Sequence, residues 1–197
     1  MIEEKSDYEI VGWERLLDFA KILARKIKVS RYEPDIIVGI SKGGWAIARL
    51  ICDYINGKDI ISLDSKHWES YKQVNLSSPN INLLGKKVLM VCDIMDKKSM
   101  DRAIEYVASL KPNGNKTLAL FYVKGKIKPD YYAEEISNKS VIFPWNFLDS
   151  IRKIIHNNPD KFGEMNAKSI KSRLKQSFNI DLEEKVIEEI LEDRGNL

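Results

Sequence analysis

Several kinds of chemistry need residues that this 197-residue chain hardly has. It carries two cysteines, Cys52 and Cys92, and two histidines, His67 and His156. The cysteines stand in apolar or strand-end contexts and make no metal-ligand spacing. Two buried thiols in a reduced, intracellular protein are the expectation. The histidines lie far apart and build neither a metal cluster nor a nucleophilic triad. No apolar run approaches the ~20 residues that span a bilayer. The opening Met-Ile-Glu-Glu-Lys lacks the apolar core of a secretory signal. The expectation is a cytoplasmic protein with no membrane partner. The net charge of +3, from 32 basic and 29 acidic residues, does not call for nucleic acid. Local lysines can still attract phosphate.

What is present reads as α/β. Hydrophobic residues make up 44% of the chain and charged residues 31%, an ordinary balance for one folded domain with an appendage. Leu16, Leu17, Ala20, Leu23, Ala24 and Ile27 recur at helical spacing, which predicts a helix over 13–27. Pro34 breaks that register before an apolar strand, 36–40. A helix over about 45–55 and a short strand over 60–63 follow. Residues 64–82 are polar and read as a long loop, a length at which loops serve as lids or binding elements. A strand at 88–91, a helix at 99–110, a strand at 117–123 and a short strand at 141–143 complete the alternation. Strands alternating with helices predict a central parallel sheet flanked by helices. From Phe147 the pattern is helical only. Leu148, Ile151, Ile154 and Ile155 mark one helix, and Ile170, Leu174 and Phe178 a second. A third is capped by Asp181. The expected division is a core over 1–146, including the loop at 64–82, and a helical C-terminal extension over 147–197.

The segment Val88-Leu89-Met90-Val91-Cys92-Asp93-Ile94-Met95-Asp96-Lys97-Lys98-Ser99-Met100 carries the most chemistry. An apolar run enters two carboxylates, then two lysines, a hydroxyl and a helical pattern. Carboxylates accept hydrogen bonds from sugar hydroxyls, and backbone N–H groups at a helix start hold phosphate. Lysines at a helix start oppose its dipole unless an anion is near.

This segment resembles the phosphoribosyl-pyrophosphate (PRPP) motif of the type I phosphoribosyltransferases. That motif has two adjacent acids, then an Asp-Thr-Gly-(Lys)-Thr/Ser loop. Here Cys92 stands for the first acid, the Thr-Gly pair is missing, and Lys97-Lys98 occupies a loop one residue short. Three other segments fit the family in the same order. They are Pro34 to Gly44, Lys124 after the strand Leu118 to Val123, and Lys128 to Glu135 followed by Val141-Ile142-Phe143-Pro144-Trp145. The last is similar to the archaeal and bacterial purine branch.

The resemblance implies a phosphoribosyltransferase-type core with a small hood at 64–82, and transfer of a phosphoribosyl group from PRPP to a purine base. The products are a nucleoside monophosphate and pyrophosphate. It places Ser41, Lys42, Gly43 and Gly44 on pyrophosphate, with a cis peptide between Lys42 and Gly43. It places Asp93 on the ribose hydroxyls and Asp96 near purine N7, where it exchanges a proton. Lys97, Lys98, Ser99 and Met100 frame the 5′-phosphate. Lys124 donates to O6 of a 6-oxopurine, and Val141 presents backbone groups to the base edge. The branch sets a stacking aromatic where this chain has Ser140, which leaves adenine or an unusual base open. Trp145 beside Pro144 reads as packing, and His67 as either a ligand contact or a loop histidine. Mg2+ is expected through PRPP, with no direct protein cage. With Cys92 in place of an acid, ribose binding weakens or magnesium keeps fewer direct protein ligands, and restoring Asp there is expected to tighten PRPP binding if the site is merely weakened. Homodimers or homotetramers are common in the family. Some members of the superfamily are instead nucleotide-binding regulators or catalytically inactive homologues. The altered loop and the extension suit that alternative, whereas Lys42, Asp93, Asp96 and Lys124 suit the enzyme.

Overall fold

In the computed structural model, the apolar run Ile36 to Ile40 is buried at every position, as expected of a central strand covered on both faces. The structure describes residues 7–56, 59–64, 81–95, 97–137, 139–163 and 165–192. The elements in order are β1 (Asp7–Ile10), α1 (Trp13–Val29), β2 (Ile36–Ile40), α2 (Ser41–Cys52), β3 (Asp59–Leu63), β4 (Val88–Met95) and α3 (Lys97–Ser109). They continue with β5 (Asn115–Val123), β6 (Tyr131–Ile136), β7 (Lys139–Ile142), a 3-10 turn (Pro144–Asn146), α4 (Phe147–His156), α5 (Pro159–Phe162), α6 (Ala167–Phe178) and α7 (Glu184–Glu192). The chain forms two compact units, Glu14–Ser137 and Met1–Trp13 with Asn138–Leu197.

The first unit is built on a five-stranded parallel sheet in the order β3-β2-β4-β5-β6. Gly39 pairs with Val91 in register, and Cys92 with Ala119. Met100, Ala103, Tyr106 and Val107 of α3 share one buried core with Ile36, Val38, Ile40, Val88, Met90 and Cys92. Phe19 of α1 meets Phe121 edge-on, with ring centroids 5.4 Å apart. Arg15 holds α1 to the edge strand through Glu134, at 2.6 Å.

Two boundaries differ from the sequence expectation. β4 continues past Val91 to Met95, so Asp93 belongs to the strand rather than to a loop beyond it. α3 begins at Lys97, so Lys97 and Lys98 form its first turn. No glycine stands at the start of α3, and lysine is a good helix former.

In the second unit β1 and β7 pair in parallel, with Tyr8 opposite Ser140 and Glu9 opposite Val141. The backbone N–H of Val11 extends the pairing by donating to the Ile142 carbonyl at 2.9 Å. Ile142 shares a core with Ile151, Ile154 and Ile155 of α4, Ile170 and Leu174 of α6, and Ile187 of α7. The compact division therefore groups β7 with the helices, whereas the sequence suggests a boundary at 146/147. Asn166 caps α6 by accepting the Ser169 N–H at 3.0 Å, and Asn179 ends the same helix in the left-handed conformation at φ +55. Asp181 is not a cap, since the next helix starts at Glu184. It instead accepts a hydrogen bond from Lys175 at 2.5 Å, which with the ammonium charge holds its carboxyl below the usual range.

Candidate functional site

The sheet order reverses direction between β2 and β4. The chain leaves β2 through α2 toward β3 on one side, and leaves β4 through α3 toward β5 on the other. Parallel β2 and β4 stop pairing after Gly39 and Val91, while β4 runs on to Met95 beside β5. The crevice that opens beyond such a point is where α/β sheets bind ligands.

Two helices start at this end of the sheet. α2 follows β2 without an intervening loop. Ser41 makes the turn at φ +63, in the left-handed region that a non-glycine residue enters rarely. No side chain caps α2, and neither α2 nor α3 has an acid in its first turn. The first N–H groups of α2 keep the partial positive charge that favours an anion.

The glycines here answer to close approach. A Cβ on Gly44 would stand 2.2 Å from the Val91 carbonyl oxygen and 3.3 Å from the Cys92 Cα. One on Gly39 would stand 2.6 Å from the Trp45 Cα. The Gly44 contact seats the first turn of α2 against β4, and the Gly39 contact brings α2 close to β2. The expected cis peptide between Lys42 and Gly43 is absent, as are all cis bonds among the described residues. The direction change falls on Ser41 instead.

Ser41 and Lys42 are exposed at the crevice, and Gly43 and Gly44 are buried beneath them. Asp93 is half-buried in β4, and its Oδ1 accepts the Ile94 N–H at 2.9 Å. Cys92 is 5% exposed, belongs to the core and directs its thiol to the Leu118 carbonyl at 3.7 Å. Met100 is 2% exposed, so only its backbone is left to a phosphate. The side chains of Lys97, Lys98 and Ser99, all of Asp96, and His67 in the 64–82 loop lie outside the described residues. The fit to Mg2+ rests on the donor set. No group of three or more His, Cys, Asp or Glu gathers among the described residues, and Asp93 is the described carboxylate of the motif. A half-buried carboxylate at a strand end is an oxygen donor of the kind that Mg2+ accepts.

Lys124 follows β5 at the same end of the sheet, its backbone N–H bonded to the Ile136 carbonyl at 2.9 Å. Its side chain is 73% exposed, with Nζ 3.9 Å from Glu135 of β6. An exposed pair at that distance restrains the lysine weakly. Glu135 was not picked out from the sequence as its partner, because β6 carries no apolar run to announce it. Trp45, 48% exposed one turn into α2, was legible only as a helix start.

Ser140 and Val141 lie in the second unit. Ser140 is exposed, and Val141 is 8% exposed, so Val141 has mainly backbone to offer. Trp145 stacks on Phe143 with centroids 4.8 Å apart and an interplanar angle of 10°, which fits the packing role.

A parallel sheet that reverses order at β2 and β4, with two helices starting at the reversal, defines an α/β protein of the kind that binds ligands at its strand ends. The family is narrower. The phosphoribosyl transferase domain matches residues 10–150, and the chain belongs to that family. It is a phosphoribosyltransferase by that membership. Among solved structures it is similar to a purine phosphoribosyltransferase from Pyrococcus horikoshii, at 26% identity and TM-score 0.61, covering 71% of this chain and 94% of that one. A hypoxanthine-guanine phosphoribosyltransferase from Bacillus anthracis matches at 23% identity and TM-score 0.51, over 64% and 79% of the two chains. A hypothetical protein from Neisseria gonorrhoeae with bound ppGpp matches at 18% identity and TM-score 0.59, over 73% and 92%. The last two likenesses show the fold alone. A comparison with curated proteins gives no match. No helix among the described residues is long and apolar enough to cross a membrane.

Proposed function

We propose that the chain transfers the 5-phosphoribosyl group of PRPP to a purine base, with a 6-oxopurine favoured and adenine within reach. In this reaction the bond between ribose C1 and the pyrophosphate oxygen breaks and a bond to the base nitrogen forms. The base nitrogen loses its proton, and pyrophosphate leaves. The observation that carries the reading is the pair of helix N-termini, α2 seated against β4 through Gly44 and α3 beginning at Lys97, both opening at the strand ends.

The first-turn amides of α2, from Ser41 to Gly44, hold the pyrophosphate, and Lys42 offsets its charge as it departs. The start of α3 holds the 5′-phosphate through backbone N–H groups up to Met100. Lys97, Lys98 and Ser99 replace the family's glycine-containing loop. A lysine fixes geometry less tightly than a close backbone cradle, so affinity here depends more on charge. Asp93 accepts from the ribose hydroxyls, and Asp96 exchanges the proton at N7. Lys124 donates to O6, and Val141 meets the base edge with its backbone. Mg2+ bound through PRPP would neutralise the leaving group, and Asp93 would offer it a carboxylate. A homodimer or homotetramer in the cytoplasm completes the reading.

A second reading is a nucleotide-binding homologue that does not transfer. It is favoured by the buried Cys92, which occupies the family's first acid position without being able to serve ribose. The Neisseria neighbour, described with bound ppGpp, suggests a ligand for that case.

The test is a turnover assay with Mg2+, PRPP and each of adenine, hypoxanthine, guanine and xanthine, scored for nucleotide and pyrophosphate. Turnover with a 6-oxopurine upholds the proposal. No turnover with any base, alongside saturable ppGpp binding, selects the second reading.

A further inference from the structure

Where the strands of the five-stranded sheet begin, the first unit carries a cleft of about 390 Å³. Two residues of its lining fix its place. Pro34 leads into β2, and the Tyr32 hydroxyl donates to the carbonyl of Val88, the first residue of β4, at 2.8 Å. Ser41 and Asp93 lie toward the opposite end of these two strands. Ile27 and Ile55 give the cleft apolar surface, at 1% and 6% exposed. Tyr32 is half-buried, and with its hydroxyl committed to β4 it offers the cleft mainly its ring. The volume falls within the ~300–1,000 Å³ of clefts that hold small organic ligands.

The charges decide what a ligand must bring. Lys28 and Arg31 both line the cleft, brought there by the turn that ends α1. Arg31 takes the left-handed conformation at φ +56, and its backbone N–H donates to the Lys28 carbonyl at 3.1 Å. Among the described residues neither cation makes an ion pair. Two cations stand against one acid in the lining, Glu33. A helix end ordinarily repels an anion through its open carbonyls. Here the Lys26 carbonyl already accepts from the Ser30 N–H at 3.1 Å, and the Ile27 carbonyl from the Ser30 hydroxyl at 2.8 Å. At the end of α2 the Ile51 and Cys52 carbonyls accept from the N–H groups of Tyr54 and Ile55. Those acceptors are used, and the two cationic donors are unpaired. An ammonium and a guanidinium only donate, and the guanidinium fork matches the paired oxygens of a phosphate or carboxylate.

We propose that this cleft is a second ligand site, for an organic anion whose phosphate or carboxylate meets Lys28 and Arg31 while an apolar or aromatic body rests on Ile27, Ile55 and the Tyr32 ring. All of its residues belong to one compact unit. The site stands apart from the crevice at the strand ends, and it does not depend on the transferase reading.

The experiment uses the full chain and three probes: phenyl phosphate, benzoate and inorganic phosphate. Each is titrated by calorimetry into the wild type, Lys28→Gln, Arg31→Gln and Lys168→Gln, whose lysine lies in the other unit. The wild type binds phenyl phosphate or benzoate saturably, and inorganic phosphate about tenfold more weakly, because only the organic probes bury apolar surface. Lys28→Gln and Arg31→Gln each lose about tenfold for the organic probe, the size expected of one charged hydrogen bond, with thermal stability unchanged. Lys168→Gln binds as the wild type does. Tighter phenyl phosphate identifies the ligand class as an organic phosphate, and tighter benzoate as a carboxylate. In amide NMR spectra the same titration shifts the resonances of residues 27–33 and 55–56. No binding of either organic probe overturns the proposal, as does equal affinity in the wild type and both cleft variants. Inorganic phosphate binding as tightly as the organic probes, or shifts confined to Ser41–Gly44, overturns it as well.

Discussion

The position of Gly44 and the Val91 carbonyl leaves no room for a side chain between them, since a Cβ on Gly44 would lie 2.2 Å from that oxygen. The first turn of α2 is therefore pinned to the end of β4. One helix start and one strand end meet in a single close contact at the end of the sheet.

Substituting Gly44→Ala forces this contact apart. Overpacking of a closed contact costs about 1–3 kcal/mol, and the displaced amides weaken PRPP binding as well. Gly12 has nothing within 4 Å of a built Cβ, so Gly12→Ala serves as the control. Urea unfolding and PRPP titration of both variants check this. Equal behaviour of the two would contradict the contact.

Cys92 occupies the place of a family acid, yet it faces the core and the Leu118 carbonyl. The structure thus reverses the expectation that Cys92→Asp tightens PRPP binding. A carboxylate there is buried in the apolar core beside a carbonyl oxygen. An uncompensated buried charge costs roughly 3–5 kcal/mol. Cys92→Asp should lower the urea midpoint sharply, and Cys92→Ser by much less. A stable Cys92→Asp protein with tighter PRPP binding would restore the first expectation.

These two residues show how far the sequence reaches. The runs 36–40 and 88–91 are apolar throughout, so the strands buried in the sheet centre were legible at once. The helical periods around Ile151 to Ile155 and Ile170 to Phe178 were legible for the same reason, because burial writes a pattern. β1 and β6 were not. Asp7–Ile10 and Tyr131–Ile136 mix tyrosine and glutamate on partly exposed strands, and what makes them strands is a distant partner. Gly44 could be seen as special from its place before a helix, but the reason, the Val91 carbonyl, is a tertiary contact. The direction in which Cys92 faces depends on strand register, and a motif comparison carries no register.

Tyr32 gives a pH signature. Its hydroxyl donates to the Val88 carbonyl at 2.8 Å, and burial, then the neighbouring Tyr131, Asp130 and Asp35, push its pKa up from 10.0 to about 12. The folded state favours the neutral phenol, so its contribution to stability is complete below pH 10 and is lost as pH rises from 10 toward 12. Tyr32→Phe should cost about 1 kcal/mol at neutral pH through the lost hydrogen bond. The gap between the two proteins should close across that alkaline range. Urea midpoints measured from pH 7 to pH 11.5 check it, and a gap that stays constant would contradict the assignment.

Asn166 caps α6 through the Ser169 N–H. Asn166→Ala removes the cap and should cost about 1 kcal/mol, read as a lower urea midpoint. Asn166→Asp, which keeps the acceptor, should cost much less. Equal losses in both variants would show that the cap is not what holds the start of the helix.

The central claim is that the altered motif still holds a sugar phosphate at the strand ends. Calorimetric titration of PRPP with Mg2+ into the wild type and Asp93→Asn tests it most directly. The account predicts saturable, Mg2+-dependent binding in the wild type and a loss of tenfold or more in Asp93→Asn, with thermal stability unchanged. That loss is about what one charged hydrogen bond supplies. Absence of PRPP binding in the wild type, or equal binding in the two proteins, would contradict it.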